Sequence, residues 1–202
     1  SPTNGASWSA PAAISKSSVN SDQVVVAYAG NTAHAAWIEK ASTESLRTAT
    51  QNTWPATSPQ TISSSIFPGD ILDPDIIANG NTIYIVWSQG FPNNKQIQYS
   101  RSTNGGSTWS SGVAINPTAQ ADGSDPDIVF DSSGRIHVVW EQEAPGGNRD
   151  FYYSQGTTSG ATVTWSTPII LSPGIDNALA PNITTKGNEV RVAFTNFVGS
   201  AS

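Results

Sequence analysis

Short runs of β-branched and aromatic residues, separated by Gly, Asn and Ser, set the pattern of this chain. Val24-Val25-Val26-Ala27-Tyr28, Ile83-Tyr84-Ile85-Val86-Trp87 and Ile136-His137-Val138-Val139-Trp140 are built from residues that suit a pleated, half-buried surface. They are too short for helices, and no stretch combines a helical period with helix caps. Gly30-Asn31, Asn79-Gly80-Asn81, Ser133-Gly134 and Lys186-Gly187-Asn188 each stand between two such runs, as tight hairpins require. A third run follows a polar loop at 96–100 and again at 150–154, and a fourth starts at a tryptophan. The pattern predicts strands near 22–29, 33–39, 44–50 and 53–62, then 73–78, 82–88, 95–101 and 107–115. The series continues near 125–130, 135–141, 150–155 and 162–171, with 181–185 and 189–195 opening a further set.

The seven tryptophans fall into two columns. Trp8, Trp54, Trp109 and Trp165 form the first, followed within eight residues by Ile14, Ile62, Ile115 and Leu171. Trp37, Trp87 and Trp140 form the second, and Phe194 fills its fourth place. Between the columns recur Asp22-Gln23-Val24, Asp73-Pro74-Asp75-Ile76, Asp125-Pro126-Asp127-Ile128 and Ala180-Pro181-Asn182-Ile183, each 14 or 15 residues before the second aromatic. The chain is therefore a fourfold repeat of about fifty residues, with units at 1–51, 52–104, 105–157 and 158–202. Four short antiparallel strands per unit, in tandem, define an all-β chain with the blades of a β-propeller. The expected domain is one propeller, whole or partial, over 1–202. Residues 7–14 supply only an outer strand, and joining the chain ends leaves the closing blade about six residues short. Further blades or a second chain are expected to complete the ring, since open blade faces would expose a large apolar patch.

Composition narrows the partners. A formal charge of −6 with nine scattered Lys and Arg disfavours nucleic acid, and no apolar run reaches the length of a membrane span. Absence of Cys removes disulfides, thiolate nucleophiles and Cys-based zinc sites. Absence of Met points to a processed or excised chain, and the Ser-, Thr-, Asn- and Gly-rich polar positions suggest a secreted or cell-surface protein.

Ser102-Thr103-Asn104-Gly105-Gly106-Ser107-Thr108-Trp109 resembles the Asp-box, or BNR, repeat of the sialidase superfamily, Ser-x-Asp-x-Gly-x-Thr-Trp. Asn104 stands at the family's Asp. A second copy keeps Ser1, Gly5 and Trp8, while Thr164-Trp165 and Thr53-Trp54 preserve the end of the motif. The resemblance implies a sialidase-like propeller of six blades, with these turns on the face opposite the active site. It does not carry function with it. A sialidase needs an arginine cluster, a tyrosine nucleophile with a glutamate partner and an acid/base aspartate. Arg47, Arg101, Arg135, Arg149 and Arg191 are dispersed, and Arg135-Ile136-His137 lacks the proline of the family's Arg-Ile-Pro segment. Arg101 is expected to support structure, and His34 and His137 to pack blades.

The candidate ligand site comprises Asp73, Asp75, Asp125, Asp127, Glu141 and Arg149. The Asp-Pro-Asp pairs open two innermost strands, with Asp22 and Asn182 in related places. They could bind Ca²⁺ through oxygen ligands, accept hydrogen bonds from sugar hydroxyls, or serve only to cap the strand starts. Glu141, Glu143, Arg149 and Asp150 form the dense charge cluster of the chain, on a loop expected at the same mouth. Asn182-Ile183-Thr184 fits a glycosylation sequon. The leading expectation is a non-catalytic, exported propeller that binds carbohydrate or another surface ligand. The alternatives are a fragment of a sialidase-like glycoside hydrolase and a purely structural module.

Overall fold

The computed structural model describes residues 10–15, 18–65, 69–91, 93–116, 122–143, 148–173 and 178–196. Trp8 and the motif copy from Ser1 lie outside them, as does the loop at 144–147. Strands β1 (Asn20–Ala29), β2 (Thr32–Lys40), β3 (Glu44–Thr50) and β4 (Gln60–Ser65) form the first antiparallel sheet, in that order. β5 (Ile71–Asn79), β6 (Thr82–Phe91), β7 (Asn94–Ser102) and β8 (Val113–Ala114) form the second. β9 (Gly123–Phe130), β10 (Ile136–Glu143), β11 (Arg149–Ser159) and β12 (Thr162–Trp165) form the third, where β13 (Ile169–Ile170) also pairs with β11. β14 (Ala178–Lys186) and β15 (Glu189–Asn196) make a two-stranded fourth. These are blades 1 to 4, each beginning at its inner strand.

Successive inner strands β1, β5, β9 and β14 lie side by side, so the blades fan around one line. That packing is not repeated between β14 and β1, and the described residues leave the ring open. The cores sit between blades. Trp87 joins Ala36, Ile38, Leu46 and Ile76 between blades 1 and 2, and Trp140 joins Val86, Ile97, Tyr99 and Ile128 between blades 2 and 3.

The tryptophan columns behave differently. Trp37, Trp87 and Trp140 are buried, and each indole N–H donates to a side chain two residues on: Glu39 at 3.4 Å, Gln89 at 2.8 Å and Gln142 at 3.1 Å. Trp54, Trp109 and Trp165 are half-buried, with indole N–H groups that are buried and unpaired. Phe194 packs on Phe151 with ring centroids 4.8 Å apart yet stays 43% exposed, because its sheet has only two strands among the described residues. The second-column tryptophans are thus enclosed, whereas the described first-column tryptophans are only half covered. Trp54 and Trp109 also precede their fourth strands rather than open them, with irregular backbone between.

The Ser102–Trp109 turn is held from within. Asn104 Oδ1 accepts the Thr108 N–H at 2.9 Å, its Nδ2 donates to Thr108 Oγ1 at 2.9 Å, and Ser102 Oγ accepts the Gly106 N–H at 2.9 Å. Gly105 and Gly106 adopt φ of 65° and 80°, a region open to glycine without steric cost. Across the blade boundary, a Cβ on Gly106 would lie 3.0 Å from His34 Nδ1. His34 is buried, its Nδ1 has no partner, and burial lowers its pKa, so it is a neutral packing residue. Arg101 donates to the Gly160 carbonyl at 2.7 Å and stacks over Tyr84, which fits the structural role expected of it.

Candidate functional site

The site begins with a bulge shared by all four inner strands. Register shifts fall between Asp22 and Val25, Leu72 and Asp75, Val139 and Glu141 opposite β9, and Leu179 and Asn182. At each bulge one non-glycine residue has positive φ: Gln23 at 51°, Asp73 at 53°, Asp125 at 47° and Ala180 at 53°. Four repetitions of so uncommon a backbone state mark a built feature. Counted from the bulge, Gln23, Asp73, Asp125 and Ala180 are equivalent, as are Val25, Asp75, Asp127 and Asn182. The sequence alignment of Asp22 with Asp73 is therefore displaced by one residue. Asp22 instead pairs with the exposed Lys40 at 3.1 Å, and it accepts the Gln23 N–H.

Asp73, Asp75 and Asp127 each accept a backbone N–H from the following blade. Asp75 Oδ2 accepts the Ile128 N–H at 3.1 Å, and Asp127 Oδ2 accepts the Ile183 N–H at 2.8 Å. Asp73 is bound to Gln23 through both amide atoms, at 2.8 Å to its Oδ1 and 2.9 Å from its own N–H. Its Oδ2 meets the Asp125 N–H at 3.4 Å. The Asp-Pro-Asp segments thus clasp blade to blade. Proline fits because the inner edge has no further strand to receive its missing N–H.

These clasps bring like charges together. Burial raises the Asp75 carboxyl, and its hydrogen bond and repulsion with Asp127 add to this, pushing it up to about 7. Asp125 is raised by burial and by Asp73. Around them, stretches 73–75, 125–127 and 180–182 line a cleft of about 270 Å³ at the mouth of the array.

Glu141 and Arg149 join this row from β10 and β11. The described residues of the expected loop, on either side of 144–147, are paired strands, with Gln142 opposite Asp150 and Glu143 opposite Arg149. Glu141 is only 4% exposed; it accepts the Ala180 N–H and meets Arg149 at 3.4 Å. Burial raises its pKa. Arg149 also donates to Ser124 at 2.9 Å and to Asp122 at 3.2 Å, and Asp122 meets Lys95 at 3.6 Å. All six expected site residues therefore gather on one end of the array, and Asp122 completes the group without having been singled out. Among the described residues, no three His, Asp or Glu side chains converge in an arrangement that could hold a metal ion.

A second polar network was missed at sequence level. Buried Asp131 receives Arg135 Nε at 2.5 Å and His137 Nε2 at 3.2 Å, while His137 Nδ1 meets the Tyr153 hydroxyl at 2.7 Å. Burial favours the neutral acid, but bonds from the Arg135 and His137 side chains and the Arg135 and Ser133 backbone hold Asp131 at about 2. The network anchors the β9–β10 turn, on the opposite end of the blade from the cleft.

No family model matches the sequence, and no curated protein matches it. Among solved structures the chain is similar in fold to an α-L-arabinanase of Penicillium chrysogenum complexed with arabinobiose, at 13% identity, TM-score 0.59 and 85% coverage of this chain. It is also similar to a protein of unknown function from Dyadobacter fermentans, at 14% identity, TM-score 0.61 and 90% coverage. A neuraminidase-like protein of A/little yellow-shouldered bat matches at 17% identity, TM-score 0.55 and 88% coverage. The chain spans 58%, 65% and 52% of those three chains. At such identities the likeness is one of fold. The described residues form an array of antiparallel blades with a sialidase-like β-propeller fold.

Proposed function

We propose that this chain is an exported, carbohydrate-binding propeller whose ligand lies over the cleft between 73–75, 125–127 and 180–182. The observation that carries the reading is that cleft, where carboxyl groups of Asp73 and Asp125 stand beside the Glu141–Arg149 pair. Carboxylates with fixed backbones accept hydrogen bonds from sugar hydroxyls, and a concave mouth on a rigid scaffold is where such ligands bind. Similarity in fold to an arabinanase seen with arabinobiose adds support. Turnover is not part of the proposal. Asp75 and Asp127 are engaged by backbone N–H groups, and Arg149 by Ser124, Asp122 and Glu141, so they position the mouth.

A glycan array paired with fluorogenic glycoside assays tests this. Binding without turnover, weakened by Asp73→Asn and Asp125→Asn, is the expected result. Turnover would favour the alternative, a portion of a glycoside hydrolase. Absence of both on a folded protein would favour a structural module.

A further inference from the structure

The boundary between blades 1 and 2 holds a recess where the next boundary is bridged. Between blades 2 and 3, Tyr84 and Arg101 stand opposite each other on β6 and β7, and both reach blade 3. The Tyr84 hydroxyl lies 3.1 Å from Thr158 Oγ1, and Arg101 donates to the Gly160 carbonyl. One blade earlier the same two places belong to His34, three residues before Trp37, and to Thr50 opposite it. A recess of about 520 Å³ lies there, at the end of the array away from the acidic cleft. Residues of 48–60 wall it from blade 1, and Gly105, Gly106 and Ser107 from blade 2. Both walls come from consecutive blades, so the recess is the same whatever adjoins β1 or blade 4.

His34 lies behind it. The ring is 2% exposed, and its Nδ1 faces Gly106, where a Cβ would come within 3.0 Å. That nitrogen has no hydrogen-bond partner. Its equivalents are satisfied, Tyr84 by Thr158 and His137 Nδ1 by the Tyr153 hydroxyl at 2.7 Å. A buried polar nitrogen left unpaired in a folded protein calls for a reason. A ligand hydroxyl supplies one, since it can donate to the bare nitrogen of one tautomer or accept from the N–H of the other.

The lining sets the chemistry of that ligand. Among the described residues it carries no Lys, Arg, Asp or Glu, and buried His34 is neutral, so nothing there answers a charge. Thr48 and Thr53 spend their hydroxyls on backbone carbonyls, and the Gln60 amide is spent on those of Gly106 and Ser107. Thr50, Thr57, Ser58 and Ser107 keep hydroxyls able to donate and accept. We propose that this recess binds one neutral sugar unit, with one of its hydroxyls reaching His34 Nδ1 past the bare Cα of Gly106 and others meeting Thr50 and Ser107. The volume falls within the range of small-molecule sites, roughly 300–1,000 Å³. This site is separate from the acidic cleft and does not rest on it.

The chain has two histidines, and His137, held by Asp131 and Tyr153, serves as an internal reference for the first. Imidazole-nitrogen NMR of the full chain is followed during titration with glucose, galactose, mannose and N-acetylglucosamine, and with their methyl glycosides. Glucosamine and glucuronate are the charged counterparts. At least one neutral sugar should move the His34 Nδ1 signal saturably and leave His137 in place. A methyl glycoside that binds as well as its parent supports the terminal unit of a glycan as the source, and one that does not supports the free sugar. Thr50→Val should weaken binding about two- to tenfold by removing one hydroxyl. Thr50→Arg, which places there the residue of blade 2, should abolish it with an unchanged circular dichroism spectrum. Asp73→Asn combined with Asp125→Asn should leave the His34 response intact, which separates this site from the cleft. The inference is overturned if no neutral sugar moves His34, if the charged sugars move it equally well, or if the Thr50→Arg protein responds as the native chain does.

Discussion

Asp127 works outside its own blade: its carboxylate accepts the backbone N–H of Ile183, 56 residues later, at 2.8 Å. Asp75 makes the same bond to Ile128, 53 residues later. The acids that look like an exposed functional cluster in sequence are thus part of how neighbouring repeats are aligned. Alanine at both should destabilise the fold as well as alter the mouth. Each deletion leaves a buried amide without its acceptor, at a cost of about 1–3 kcal/mol. Urea melts of the single variants check this.

The same pair predicts a pH dependence. Asp75 is raised from 3.8 to about 7, so the folded state holds its proton more tightly than the unfolded chain. Stability from this source is full below 3.8 and is lost as pH rises through about 7. Asp75→Asn, which mimics the protonated acid, should flatten the loss between mildly acidic and mildly alkaline buffer. Denaturation midpoints measured at both ends of that window provide the test.

Trp140→Ala should cost about 3–5 kcal/mol, since the ring is fully enclosed between blades 2 and 3. Gln142→Ala should cost less, about 1–3 kcal/mol, by leaving the indole N–H unpaired. A neutral Trp140→Ala in thermal melts would mean that the blade cores are wrongly placed.

At the Ser102–Trp109 turn, Asn104→Ala should cost about 1 kcal/mol, because its bonds are exposed and partly replaced by water. Gly106→Ala should cost more, through positive φ and the crowding of His34 Nδ1. Adding His34→Ala to Gly106→Ala should recover part of that loss, a coupling that a double-mutant cycle measures. His34 itself has a lowered pKa, so its contribution is full above 6.5 and falls as acid protonates it first in the unfolded chain.

Asp131 supplies the opposite limb of the acid response. Held at about 2 against an ordinary 3.8, it contributes stability above 3.8 that is lost as pH falls through about 2. Asp131→Asn should erase that loss while weakening the turn at neutral pH. Tyr153→Phe, which removes only the hydroxyl at His137, should cost about 1 kcal/mol.

The strands were legible because β-branched runs and glycine turns are local signals, and their positions agree closely with β1–β3, β5–β7, β9–β11 and β14–β15. The fourth strands were read less well, since β8 and β13 are two residues each and irregular segments surround them. Register at the inner strands was hidden for a geometric reason. The turn between β9 and β10 is longer than its counterparts, so counting back from the tryptophans fits Asp22 and Gln23 equally well. Positive φ at Gln23 and Ala180, neither of them glycine, leaves no trace in composition. One signal was present and unread: Trp37-x-Glu39, Trp87-x-Gln89 and Trp140-x-Gln142 place an acceptor two residues after each buried indole.

The bulge bonds also give the chain an arrow in time. Among them, wherever a backbone N–H is the donor, the accepting side chain belongs to an earlier repeat and the donor to a later one. During synthesis from the N-terminus, a finished blade already carries the group that will catch its successor, so each newly emerged inner strand docks onto a prepared edge. A ribosome-bound chain halted after β9 would hold Asp127 ready with nothing to seize. A circular permutant beginning at β14 would have to fold its catcher last.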